Sequence, residues 1–431
     1  MDFPKMMLVE QQFESPELTD IPGGVKKEIS QLGLESTIHP GDSIAITVGS
    51  RGIANIALII KSLVKELRLL GAEPFIIPAM GSHGGGTAEG QLAIVEGYGV
   101  TEDYVGAPIQ SSMEVVPVGS TSEGVPVFCD RHAYRADHVA VVNRIRPHTD
   151  FFGPIQSGLH KMMLIGMGKH HGAQIYHRAI QDYSWDRIIR AVGTEVIKKC
   201  KVAFGLGIVE NQIYTTASIH GVAPADFYAR EVELQALSQS LMPSIPFEKL
   251  DLLIIDEIGK NISGAGMDTN IIGRKYNDHR ADPSETPKVT RIYVRGLTGQ
   301  THGNASGIGL AEFCHQKVVD QMDKASTDLN CICGFHPSGA AVPITLPTDT
   351  QALETALGTV GYVEPQNAKV VWINNTLEIK KIAVSEALAE QVRAQTRLKI
   401  IQDAQPMRFD DQGDLLPMLQ THCASWAGRD E

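Results

Sequence analysis

The alternation of apolar and polar positions divides the chain into two series of short strands and helices. Residues 43–48 (SIAITV) are a short apolar run that stops at Gly49-Ser50-Arg51-Gly52, and 53–70 continues with helical periodicity. A second strand at 75–77 ends in PAMGSHGGGT, ahead of a helix over 87–96. A third, 139–142 (VAVV), runs into Asn143-Arg144-Ile145-Arg146-Pro147-His148. A helix at 183–199, a strand at 202–206 and a helix at 223–240 complete the first series. After a break at 240–246 (SLMPSIP), strands are predicted at 250–255, 289–294 and 370–373, with helices at 310–322, 350–357 and 385–402. Strands alternating with helices predict an α/β fold: two α/β domains with mainly parallel sheets and a ligand cleft between them. The expected boundaries are 1–245 and 246–394, with the tail 395–431 packing back on the first domain.

Composition narrows the function. The chain has 431 residues, 43% hydrophobic and 20% charged, an ordinary globular balance. A net charge of −12 speaks against nucleic acid or an anionic membrane as the main partner, since phosphates would be repelled on average. No basic-then-apolar leader opens the chain and no apolar stretch is long enough to span a bilayer, so a cytoplasmic location is expected. Six scattered cysteines fit free thiols better than a disulfide framework. Cys331 and Cys333 read as buried thiols at a strand end rather than as a metal site, because no second ligand pair has matching spacing.

Candidate chemistry gathers where strands end. In open parallel sheets, ligands collect at the carboxyl ends of the strands. Ser50-Arg51, Ser82-His83 and the loop from Arg144 to His148 all leave such ends. GSHGGGT (81–87) could be merely a tight strand-to-helix turn, but His83 is a ring that no tight turn requires. His148 follows Pro147, which biases its backbone toward an extended form. Two imidazoles at neighbouring strand ends are what a racemase needs, since each substrate face requires a group that takes and returns a proton near neutrality. The stretch 148–177 holds five histidines, and its Lys161 stands between the Ser157-Gly158 turn and the apolar run 162–167. From spacing alone, Lys161 reads equally as a snorkelling surface residue or as an amine for covalent chemistry. In the second series, DEIGKNISGAGMDTNIIGR and GLTGQTHGNASGIGLAEF are long loops rich in hydrogen-bonding residues, which suits a polar, polyhydroxylated substrate.

Together these residues resemble the nickel-dependent lactate racemase family, the 2-hydroxy acid racemases and epimerases that carry a nickel-pincer nucleotide. Ser50-Arg51 stands where the family has Thr-Arg, His83 lies in the turn bearing one catalytic histidine, and His148 precedes SGLHK where the family has its second histidine and a Ser-Gly-Gly-x-Lys turn. The resemblance implies that Lys161 tethers the cofactor covalently and that His177, sixteen residues on, coordinates nickel. It implies cofactor contacts at Ser157, Gly158, Ser50 and Arg51, and cofactor biosynthesis proteins as partners. Three departures stand out. The spacing from His148 to Lys161 is about three residues longer, Val48 replaces an acidic residue, and GNASGIGL lacks the family's substrate lysine. Arg51, Lys260, Arg274 and Asn304 are then the candidates for binding substrate. The implied activity is inversion at the alpha carbon of a small-molecule 2-hydroxy acid, a sugar acid first and a short-chain acid such as lactate or malate second. Other classes are an NAD-dependent dehydrogenase, which the missing G-x-G-x-x-G disfavours, and a non-enzymatic metabolite-binding protein.

Overall fold

The computed structural model describes residues 1–50, 52–275, 285–334 and 336–418. They form two compact α/β units. One comprises Ser15–His148 and Phe152–Met242; the other comprises Met1–Glu14, Thr149–Phe151 and the described residues from Pro243 on.

The first of these units holds a five-stranded sheet in the order Glu73–Pro78, Ser43–Val48, His138–Arg144, Val202–Glu210, Thr216–Val222. The first four strands are parallel and the last returns antiparallel. Val202–Glu210 is buried at every position, as expected of a strand covered on both faces. The helix Ile56–Leu69 buries Ile56, Ile59, Ile60, Leu63, Val64 and Leu67, a spacing that keeps one stripe on the sheet. That stripe meets Ile44, Ile46, Val48, Val142 and Phe204 in one core. The strand order fixes where a ligand can sit. From Ser43–Val48 the chain goes first to one neighbour, Glu73–Pro78, and then to the other, His138–Arg144. The switch point therefore lies at the carboxyl ends of Ser43–Val48 and His138–Arg144, where Ser50 and the 145–148 loop begin.

The second unit holds an eight-stranded sheet: Ile344–Leu346, Phe313–His315, Lys288–Val294, Lys249–Ile255, Val370–Ile373, Lys381–Ser385, Lys5–Gln11, Leu398–Pro406. The first five strands are parallel, and the last three pair antiparallel. This division differs from the sequence expectation at both termini. Lys5–Gln11 pairs with Leu398–Pro406 in this sheet, so residues 1–14 and the described part of the tail belong here. The helix expected over 385–402 is a short helix, Ala389–Arg393, followed by a strand whose burial alternates from Leu398 on. The helix expected over 310–322 is broken by the buried strand Phe313–His315 before the helix Gln316–Gln321. Cys331 lies near the end of the helix Lys324–Cys333, not at a strand end. Cys129, Cys200, Cys314 and Cys331 are free and buried. No helix among the described residues is long and apolar enough to cross a membrane.

Candidate active site

Three loops leave the carboxyl ends of adjacent parallel strands in the five-stranded unit. The first carries Ser50. Its hydroxyl lies 2.8 Å from His83 Nδ1, and its carbonyl accepts from Tyr98 Oη at 2.8 Å. Arg51 lies outside the described residues.

The second loop is the glycine turn. Gly84, Gly85 and Gly86 all have φ between 64° and 67°, a region that side chains resist. At Gly84 the approach is also close: an added Cβ would lie 2.5 Å from the backbone carbon of Gly90. Thr87 then caps the helix Ala88–Gly97 by accepting from Gly90 N at 3.1 Å. His83 Nδ1 also lies 3.0 Å from the Met80 carbonyl, which can only accept. Nδ1 therefore carries the proton, and the basic lone pair is on Nε2.

The third loop runs from His148 to Lys161. The His148 ring stacks on Trp185 at 6.2 Å between centroids, and Trp185 Nε1 donates to the Ile155 carbonyl at 2.8 Å. Ser157 Oγ donates to Arg146 O at 2.5 Å and accepts from Arg146 N at 3.2 Å, so its hydroxyl closes the loop on itself. Gly158 has φ 96° and ψ −146°, and its carbonyl accepts from Asn143 Nδ2 at 2.8 Å. The short helix Leu159–Lys161 then passes into a π-helical turn, Met162–Gly166, closed by Met167 N donating to Met162 O at 2.9 Å. Such turns recur at functional sites. Met162, Met163, Leu164 and Met167 are buried, which places the half-buried Lys161 at the edge of an apolar floor.

His177 sits two turns into the helix Lys169–Tyr183, half-buried. Burial, and then the charge of Lys161, push its pKa down to about 4. The amine and the imidazole singled out by the resemblance thus feel each other in the fold, and the imidazole is neutral at pH 7. His170 and His171, on the same helix, are exposed, and His171 meets Phe128 edge-on.

The remaining candidates lie in the other unit, with their polar groups engaged inside it. Lys260 Nζ donates to Gly264 O at 2.6 Å. Arg274 pairs with Glu312 at 2.8 Å and donates to Leu310 O, so its charge is met within the protein. Asn304 Oδ1 accepts from Ser306 N and Oγ, which closes its own loop. A grouping of His315, Asp349 and Asp414 also lies here. Its atoms are committed: His315 Nδ1 accepts from Lys317 N, Nε2 faces Asp414 at 3.0 Å, and Asp349 holds Arg295.

Sequence reasoning missed Lys169. It is fully buried at φ 54°, pairs with Asp130 at 3.1 Å, and donates to the Pro78 carbonyl and to Gln91 Oε1. Burial pushes its pKa down, while Asp130 holds it up. Gln91 in turn donates to Gly81 O at 2.8 Å and His83 O at 3.3 Å. Lys169 therefore ties the helix of His177 to the turn of His83.

Residues 8–186 match the family model of the lactate racemase N-terminal domain. Over that segment the chain resembles the lactate racemase family. The matched segment contains Ser50, His83, His148, Ser157, Gly158, Lys161 and His177. Among solved structures, the lactate racemase apoprotein from Thermoanaerobacterium thermosaccharolyticum aligns with a TM-score of 0.53 at 13% identity, over 86% of this chain and 94% of that one. At that identity it speaks for the lactate racemase fold. A protein from Thermotoga maritima aligns with a TM-score of 0.49 at 14% identity, over 85% of this chain and 98% of that one. No curated protein matches.

Proposed function

We propose that this chain is a lactate racemase-like enzyme that inverts the alpha carbon of a 2-hydroxy acid, with a sugar acid as the preferred substrate class. The observation that carries the reading is the match of residues 8–186, which hold His83, His148, Lys161 and His177, to the lactate racemase N-terminal domain.

The residues fit a nickel-pincer nucleotide. A metal-binding imidazole must be neutral, and His177 is kept neutral down to about pH 4 by burial and by Lys161. Conversion of the Lys161 amine to an amide-like linkage would remove the charge that repels a proton, and a metal, from His177. Lys161 would hold the group covalently, His177 would ligate its nickel, and Ser50 and the Ser157-Gly158 turn would lie along the nucleotide. When bound, such a group supplies a reversible hydride acceptor. The chain's own task is then proton handling and placement. His83, protonated on Nδ1, offers Nε2 as a base for the substrate hydroxyl, and His148, steadied by Trp185, supplies the second imidazole. The partners in this reading are the small-molecule acid and the proteins that make the cofactor, with neither nucleic acid nor membrane involved.

The test is to produce the chain together with cofactor biosynthesis proteins, then measure intact mass and nickel content. A covalent adduct on Lys161 with bound nickel, both absent from Lys161→Ala, is expected. A fully active Lys161→Ala protein carrying normal nickel would refute the tether.

A further inference from the structure

We infer that Glu231 is a positioning residue that sets the orientation of Lys161, acting through His160; this rests on the reading of Lys161 as the tether. Glu231 lies on the helix Phe227–Ser240, outside the segment matched by the family model. It is fully buried, and His160 is 3% exposed. Its Oε2 lies 2.5 Å from His160 Nδ1 and 3.1 Å from His160 N, and Oε1 lies 3.3 Å from the same backbone nitrogen. A carboxylate accepts, so both His160 groups are donors. The same carboxylate fills the space beside Gly158, where an added Cβ would lie 2.1 Å from Oε1. His160 is wedged from its other side by Gly193, whose added Cβ would lie 2.6 Å from the ring.

The backbone leading to Lys161 is thereby pinned at three successive points: Ser157 to Arg146, the Gly158 carbonyl to Asn143, and His160 to Glu231. Only the last is adjacent to Lys161. Stability gives no reason for a buried polar pair there, because apolar residues of similar volume commonly replace such pairs at no loss. What the pair supplies is direction. Its bonds fix both the peptide and the ring of the residue before the lysine, and a supporting shell of this kind decides whether a reactive group is held within a fraction of an ångström.

The experiment reads Lys161 itself. The purified chain is labelled with trace acetic anhydride, and peptide masses give the labelling of Lys161 relative to the exposed Lys27. In the wild type the half-buried Lys161 labels less than Lys27. Glu231→Ala, which loses every bond from this carboxylate to His160, should raise the ratio roughly tenfold, toward a surface lysine. Glu231→Gln keeps the volume and one acceptor, so an intermediate ratio is expected at near-wild-type Tm. An unchanged ratio in folded Glu231→Ala overturns the proposal. Should that variant not fold, an unchanged ratio in Glu231→Gln overturns it alone. Covalent loading of Lys161, measured by intact mass after production with the cofactor biosynthesis proteins, should fall in the same order. If the wild type carries no adduct, the tether reading fails, while the labelling ratios still decide the role of Glu231.

Discussion

A histidine proposed to bind metal has to be free of its proton, and His177 is deprotonated for two separable reasons. Burial is the larger and the Lys161 charge the smaller. Replacing Lys161 with Met should therefore raise the His177 pKa from about 4, yet leave it short of 6.5; proton NMR titration of the ring checks this. A pKa that does not move would separate the two side chains and remove the ground for pairing them. His83 and His148 make a different demand. Neither is needed to hold the core, so His83→Ala and His148→Ala should each slow interconversion on the order of a hundredfold or more, with circular dichroism unchanged. Wild-type rates in either variant would remove that residue from the pair. His83 and His148 could be picked out in the sequence because each sits where a predicted strand runs into a turn, whereas Lys161 and His177 were singled out by the family resemblance. Lys169 could not. Its partner Asp130 is far off in sequence, and a lysine in GMGKHH reads as solvated until the fold closes over it.

At the scale of elements, the Ser157–Lys161 turn is the most constrained piece of backbone in the site. Gly158 combines φ 96° with a carboxylate oxygen where a Cβ would go. Gly158→Ala should cost at least about 1–3 kcal/mol from conformation alone, before Glu231 is displaced. Denaturant unfolding should show a lower midpoint, and nickel loading should fall further than stability does. Equal losses in the two would make the turn merely structural. The central strands were legible because a strand buried on both faces is a continuous apolar run, as in 43–48 and 250–255. Lys5–Gln11 and Leu398–Pro406 lie at one side of the eight-stranded sheet. The latter alternates between partly or fully buried and exposed positions, whereas the sequence predicts a helix over 385–402 instead of that strand. The π-helical turn at Met162–Gly166 carries no periodic signal, since one extra residue per turn arises from tertiary packing rather than from composition.

For the whole molecule, acid should weigh more heavily on the five-stranded unit than on the other. His177 takes up its proton near 6.5 when unfolded but only near 4 when folded. Between those values the unfolded chain binds more protons, so this stabilisation is complete above about pH 6.5 and is lost as pH falls toward 4. The loss amounts to at most about 3 kcal/mol. His220, also held down by burial, adds to it in the same unit. The other unit contains Asp256 and Glu257, whose pKa values burial pushes up. There the folded state binds protons ahead of the unfolded one at these two groups, while Asp349, held down by Arg295 against burial, acts in the opposite sense. Hydrogen exchange followed by mass spectrometry from pH 7 to 5 should show the core peptides around Phe204 losing protection relative to those around Leu253, after correction for the intrinsic rate. His177→Leu should flatten the first response and leave the second in place. If both units lose protection equally, and His177→Leu changes neither, the depressed histidine is not what acid attacks.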